Sequence, residues 1–392
     1  MIATVANPKR TGTRRGYLRQ LANFATSERE VLFAFVFSRV LIWTVGWLSL
    51  RWFKPGGLAS SQHGQLWEMF FRWDSGWYLA VLNDGYYLHP GHESSAAFFP
   101  LYPLTASVVS HLFAMPIKAA GFLVSNLALL VAAILLRRLA LIDHADRPKI
   151  AMRSVWLLML SPVAHFFSSF YTESLFLFLS LLAFYGARRG RWALAGAAGA
   201  LLTATRTNGI VILPALAWEA WRQHREVGGA GTRSRPWGVA WLALVPLGLI
   251  GYMTYLHFHV GDAFAFVKAQ AAWGKILTVP GKSLWAAYQG YPKAYAFFFI
   301  GATITSLVIL ILGFRYGVRR SMLIYTILTL LLILSTSLLE GMPRYVSVLF
   351  PLYIALALAT ERSENAFTAV IAFSTALMAL TTALFVCGYW MT

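Results

Sequence analysis

Between Lys118 and Arg137 the chain runs from Ala119 to Leu136, 18 residues, without a charged side chain. A stretch of that length and character can cross the hydrocarbon core of a bilayer as a helix. In hydrocarbon a backbone must satisfy its own hydrogen bonds, so such a segment restricts the fold to a helical bundle or a closed barrel. Apolar runs of comparable character recur from Val31 to the last residues, broken by short polar or basic connections. With 58% hydrophobic and 12% charged residues, the chain reads as an all-α integral membrane protein.

A net charge of +18 in a soluble domain would point to nucleic acid. Here the Lys and Arg residues sit beside apolar runs, so the positive-inside rule and anionic headgroups account for them, and no nucleic-acid partner is expected. Residues 1–30, with Lys9, Arg10, Arg14, Arg15, Arg19 and Arg29, read as a cytoplasmic basic arm that leads into a retained first span without an A-x-A site. Residues 31–392 then form one transmembrane domain of about eleven spans. They are placed at 31–50, 119–138, 154–170, 172–187, 192–206, 208–222, 237–257, 293–314, 321–339 and 345–360, with a last span closing the chain. Arg39 falls inside the first of them. Residues 51–117 become an extracytoplasmic loop. Its apolar run 98–113 is short for a span and carries Pro100 and Pro103 in its opening turns, so it reads as an interfacial helix. The single cysteine, Cys387, excludes an internal disulfide and a cysteine metal cluster.

The candidate chemistry lies on the outer face. In F-F-R-W-D-S-G-W-Y the carboxylate of Asp74 sits between Trp73 and Trp77, with Arg72 before it and Tyr78 after it. Aromatic rings can stack on the apolar face of a sugar while the acid takes a hydroxyl proton; an interfacial aromatic belt would use the same residue types. Glu173 heads the fourth span, where a charge is costly unless it pairs or does chemistry. Arg206 and Arg344, the latter followed by Tyr345, lie at outer turns and offer the planar fork that grips phosphate. His165, beside Pro162, is a further candidate substrate contact. Asp143, His144 and Asp146 resemble a metal-ligand cluster, but in a short basic cytoplasmic loop they read as solvated side chains. There is no D-x-D, P-loop or G-x-G-x-x-G motif, and neither metal nor cofactor is expected.

Carboxylates, arginines and aromatics on one side of a bundle are what glycosyl transfer from a lipid phosphate needs. The acceptor hydroxyl requires a base, whereas a phosphate leaves as an anion and needs only a cation. The competing class is a transporter or flippase of lipid-linked sugars. Such proteins put polar groups at the midplane on broken helices and carry repeats. Here the polar groups gather at one face, and no repeat is visible.

R-W-D-S-G-W-Y at 72–78, G-Y-Y at 85–87, F-F-P-L-Y-P-L at 98–104, S-P-V-A-H-F-F-S-S-F-Y-T-E-S-L-F at 161–176, T-R-T-N-G at 205–209, G-D-A-F-A-F-V-K-A-Q at 261–270 and M-P-R-Y at 342–345 resemble the PIG-V family. These are bacterial relatives of the enzyme that adds the second mannose of the GPI anchor, within the GT-C superfamily. The resemblance implies a GT-C-like bundle and a polyprenyl- or dolichyl-phosphate mannose donor. It also implies a lipid or glycan acceptor and an inverted product. It matches Asp74 to the family's base, Glu173 to the acid of its next outer loop, and Arg206 and Arg344 to its outer-face arginines. A multi-pass cell-membrane protein with an extracytoplasmic active site is the expectation.

Overall fold

The computed structural model describes residues 28–53, 66–227 and 236–391. The basic residues Lys9 to Arg19, part of the first loop (54–65), and Arg233 and Arg235 lie outside the described residues. Among the described residues sixteen α-helices follow one another: α1 Arg29–Trp52, α2 Asp74–Asn83, α3 Leu101–Leu112, α4 Ile117–Asp143, α5 Pro148–Met159, α6 Glu173–Arg188, α7 Trp192–Thr203 and α8 Ile212–Val227 come first. The second half holds α9 Leu247–Val260, α10 Ala265–Ala272, α11 Lys282–Gly290, α12 Lys293–Arg315, α13 Arg320–Leu334, α14 Met342–Ser347, α15 Phe350–Ala359 and α16 Glu364–Val386. Among the described residues there is no sheet, only an isolated antiparallel bridge between Leu277 and Thr336. Among the described residues five stretches are long and apolar enough to cross a membrane: α1, α4, Gly238–Val260, α12 and α16.

Several expected spans are not continuous α-helices. The third breaks after Met159 and resumes as a 3-10 turn, Ala164–Ser168. Pro162 lies in the break and has no N–H to continue the ladder. A buried broken helix leaves carbonyls without donors, and Arg39 of α1 supplies them. Its guanidinium donates to the Ala164 carbonyl at 3.1 Å, the Met159 carbonyl at 3.4 Å and Ser168 Oγ at 2.9 Å. The arginine inside the first span is therefore a splint for the third. The fifth expected span is the 12-residue α7, packed close against the stretch that follows α8. A Cβ on Gly196 would collide with the Trp241 carbonyl, and one on Gly248 with the Ala200 carbonyl. Such contact between small residues is how helices associate where water does not drive them together.

The run 98–113 contains α3, about 18 Å long and too short to span. It folds back along the first turns of α4, with Tyr102 Oη donating to the Gly121 carbonyl at 3.0 Å and lying 2.9 Å from Ser125 Oγ. Leu104, Val108 and Leu112, four residues apart, form an exposed apolar stripe on its other side.

Two polar clusters mark the ends of the bundle, and α6 runs between them, about 22 Å from Glu173 to Arg188. At the Arg188 end, Glu219 of α8 is fully buried. It accepts from Arg319 Nε and Nη2, Ser321 Oγ and Gln223 Nε2, each at 2.7 Å. Arg188 joins Glu219 to Asp143. Asp143, expected to be solvated, is thus an ion-paired strut that ties α4 to α6 and α8. No group of metal-ligating side chains forms around it or elsewhere among the described residues.

Candidate active site

At the other end of α6, four separate stretches of chain bring two carboxylates and two guanidiniums into one string. Asp74 opens α2 and Glu173 opens α6, each in a first helical turn, where the helix dipole favours negative charge. Arg206 follows α7, and Arg344 rides on the short α14. Arg344 Nη1 lies 2.6 Å from Asp74 Oδ2, and its Nε lies 3.0 Å from Glu173 Oε1. The same Glu173 oxygen pairs with Arg206 Nη2. Arg206 Nε donates to Thr172 Oγ1 at 2.6 Å. The order is therefore Asp74, Arg344, Glu173, Arg206.

Burial differs sharply along this string. The Glu173 side chain is 0% exposed and that of Asp74 is 25% exposed. Asp74 is the carboxylate that solvent, or a ligand, can reach. Arg206 Nη1 is buried and has no partner among the described residues.

The turn that presents Asp74 is strained. Trp73 has φ 49° and ψ −116°, a conformation unfavourable for a bulky L residue. Tyr171 holds it from both sides: its hydroxyl donates to the Arg72 carbonyl at 3.0 Å and accepts from the Asp74 N–H at 3.2 Å. The tripeptide Tyr171-Thr172-Glu173 thus fixes the Asp74 turn, Arg206 and Arg344 together.

A third cation approaches from the loop after α10. Lys275 Nζ donates to Tyr345 Oη at 3.0 Å. The charged groups of Arg206, Arg344 and Lys275 all lie within 5.6 Å of the centroid of the Tyr345 ring. No described carboxylate forms an ion pair with Lys275.

The other expected contacts divide. Trp77 stacks on Phe98 with centroids 5.6 Å apart and meets the edge of Trp273 at 5.4 Å, making an aromatic wall beside Asp74. Tyr78 is buried and its hydroxyl points to Thr172 Oγ1 at 3.4 Å. Trp73 turns away to Trp390, with centroids 5.5 Å apart. Arg72 donates to the Val386 carbonyl at the C-terminal end of α16, at 3.0 Å, and so anchors the turn rather than joining the arginine string. His165 has no exposed surface; its ring lies between Phe166 and Phe385 in the core, and it has no face to offer a ligand. Among the other outer-loop acids, Glu68 pairs with Lys118. Asp262 pairs with Lys268 at 2.6 Å, and the bonds from Lys268 and the Phe264 N–H hold its carboxyl below the usual range.

A family model described as mannosyltransferase (PIG-V) matches residues 32–224. Residues 32–224 are thus similar to the PIG-V mannosyltransferase family. The matched segment contains Asp74, Glu173 and Arg206; Lys275, Arg344 and Tyr345 lie beyond it. A GPI alpha-1,6-mannosyltransferase 2 of Cricetulus griseus is 34% identical over 175 residues, 41% of this chain and 34% of that protein. The Mus musculus protein of the same name is 31% identical over 172 residues, 41% of this chain and 33% of its own. The matches therefore span about a third of each relative's length. Among solved structures, the apo oligosaccharyltransferase of Archaeoglobus fulgidus superposes with a TM-score of 0.46 at 11% identity, covering 92% of this chain and 56% of that one.

Tyr171 and Thr172 immediately precede Glu173 in sequence. Nothing local to Lys275 points to the tyrosine it touches, 70 residues away.

Proposed function

We propose that this chain is a GT-C-like membrane glycosyltransferase of about eleven passes. It moves a mannosyl or other hexosyl unit from a polyprenyl-phosphate donor to a hydroxyl of a lipid or glycan acceptor, with inversion, on the extracytoplasmic face. The observation that carries this reading is the string itself: a partly exposed carboxylate, Asp74, held by Arg344, beside a buried carboxylate enclosed by two guanidiniums, in a chain whose residues 32–224 match a mannosyltransferase family model.

In this reading the acceptor hydroxyl approaches Asp74 and passes its proton to the free carboxylate oxygen as it attacks the anomeric carbon. The bond from that carbon to the donor phosphate breaks, and its electron pair leaves on phosphate. A glycosidase needs a second carboxylic acid to protonate an alkoxide. Here the departing charge is already stable and is met by the unpartnered Nη1 of Arg206. Glu173, buried and doubly paired, is a positioning residue that keeps the two guanidiniums aligned. Trp77 and Phe98 provide an aromatic face for the sugar.

The test is transfer from a panel of radiolabelled polyprenyl-phosphate sugars to membrane extract by the purified protein. Label appearing in an acceptor, with mannose preferred, is the expected result. Donor binding without transfer to any acceptor would instead indicate a carrier protein.

A further inference from the structure

The segment 274–281 carries Lys275 at its start and an apolar tip beyond it. Its backbone is fastened to the end of α13: Thr278 N–H donates to the Ser335 carbonyl at 2.8 Å, Gly281 N–H to the Leu334 carbonyl at 3.0 Å and Ser337 N–H to the Ile276 carbonyl at 2.9 Å. So anchored, the strap has a defined direction. Lys275 turns inward to Tyr345 and the arginines, while Leu277 and Val279, two residues apart, are 77% and 75% exposed. Residues at i and i+2 of an extended segment share a face. The strap thus joins a cation inside the site to an apolar face outside it.

A ligand that fits both ends has an anionic group joined directly to a hydrocarbon chain. Lys275, Arg206 and Arg344 surround one tyrosine ring and bring three positive charges against the two carboxylates Asp74 and Glu173, which leaves the cluster short of one negative charge. Resting on the donor class proposed above, we infer that the 274–281 strap is the exit seat of that donor. Lys275 takes the phosphate oxygen facing away from Arg206, and Leu277 and Val279 carry the first isoprene units. The strap thereby makes the enzyme favour a donor whose phosphate carries an isoprenoid chain.

The experiment compares a long polyprenyl-phosphate mannose with methyl phosphomannose, which has no isoprene unit, in nanodiscs, reading kcat/KM for the wild type, Lys275→Gln and the double variant Leu277→Ser/Val279→Ser. The wild type should prefer the long donor by about ten-fold or more, because only that donor places hydrocarbon on the strap. The double variant should lose most of that preference, and its loss should fall on the long donor, since the methyl donor has no chain to lay on Leu277 and Val279. Lys275→Gln should depress both donors alike. Thermal unfolding of each variant separates these effects from misfolding, and a variant that fails to fold is replaced by Leu277→Ser alone. If the double variant loses activity equally on both donors, the apolar tip merely anchors the loop in lipid and the inference is overturned. An unchanged preference overturns it too, while leaving the glycosyltransferase reading intact. A wild type that transfers from neither donor overturns both.

Discussion

Replacing Asp74 by Asn separates chemistry from architecture at this site. The substitution removes a proton acceptor while changing the shape little. The stability cost follows from the contact with Arg344 at 2.6 Å. A hydrogen bond to a charged group contributes about 1.5–3 kcal/mol. Asn keeps an oxygen toward Arg344, so the expected loss is about 1–2 kcal/mol, and the variant should fold and bind donor. The kinetic cost is larger. Loss of a general base typically lowers turnover by about a hundred- to ten-thousand-fold, or about 3–5 kcal/mol on the barrier. Glu173→Gln should behave in the opposite way. Its carboxylate is fully buried between two guanidiniums, and breaking such a pair costs about 3–5 kcal/mol of stability. That loss should appear as a lower thermal midpoint and weaker donor binding. The assay measures donor binding, single-turnover transfer and thermal unfolding on both purified variants beside the wild type. Transfer by Asp74→Asn within about threefold of wild type would refute the assignment of the base, since a general base typically contributes about a hundred-fold or more.

Arg206→Lys keeps the charge but loses the planar fork that holds Thr172 and Glu173 together; donor affinity should fall about ten-fold, measured against acceptor affinity, which should be unchanged. Arg39→Leu strips the donors from the Met159 and Ala164 carbonyls at about 1–3 kcal/mol for each unsatisfied group, so the thermal midpoint should drop while donor KM stays near wild type. Reporters fused near Lys118 and near Lys149 should read as extracytoplasmic and cytoplasmic respectively; the reverse at either position would overturn the eleven-pass arrangement.

Much of this site is legible in the sequence because a charge in an apolar chain has few reasons to persist. Asp74, Glu173, Arg206 and Arg344 each stand out against their surroundings, and the fold brings all four together. Partner choice is harder to read. Nothing local to M-P-R-Y tells that Arg344 bridges Asp74, 270 residues earlier, or that Lys275 faces Tyr345. Local composition also misleads in identifiable ways. Arg72 and Trp73 precede Asp74 directly, yet the left-handed turn at Trp73 swings them toward the end of α16. His165 looks like a ligand contact beside Pro162, but the break in the third span folds it into the core. Hydropathy reports that a stretch is apolar without reporting where its ladder is interrupted, so the splinted break after Met159 becomes visible only when Arg39 is seen across from it.

The pairing of Glu173 with Arg206 bears on how such a chain can enter a membrane at all. A carboxylate carried into hydrocarbon by itself is unfavourable by about 2.5–3.5 kcal/mol on insertion scales. Its first partner lies only 33 residues further on, just past the next helix. The α6–α7 hairpin therefore carries its own neutralising charge and can partition as one unit during synthesis, before the C-terminal third of the protein exists. Arg344 arrives later with the last helices and meets a carboxylate that is already paired. It bridges that carboxylate to Asp74, so the string of four charges is complete only once the C-terminal helices have joined the bundle.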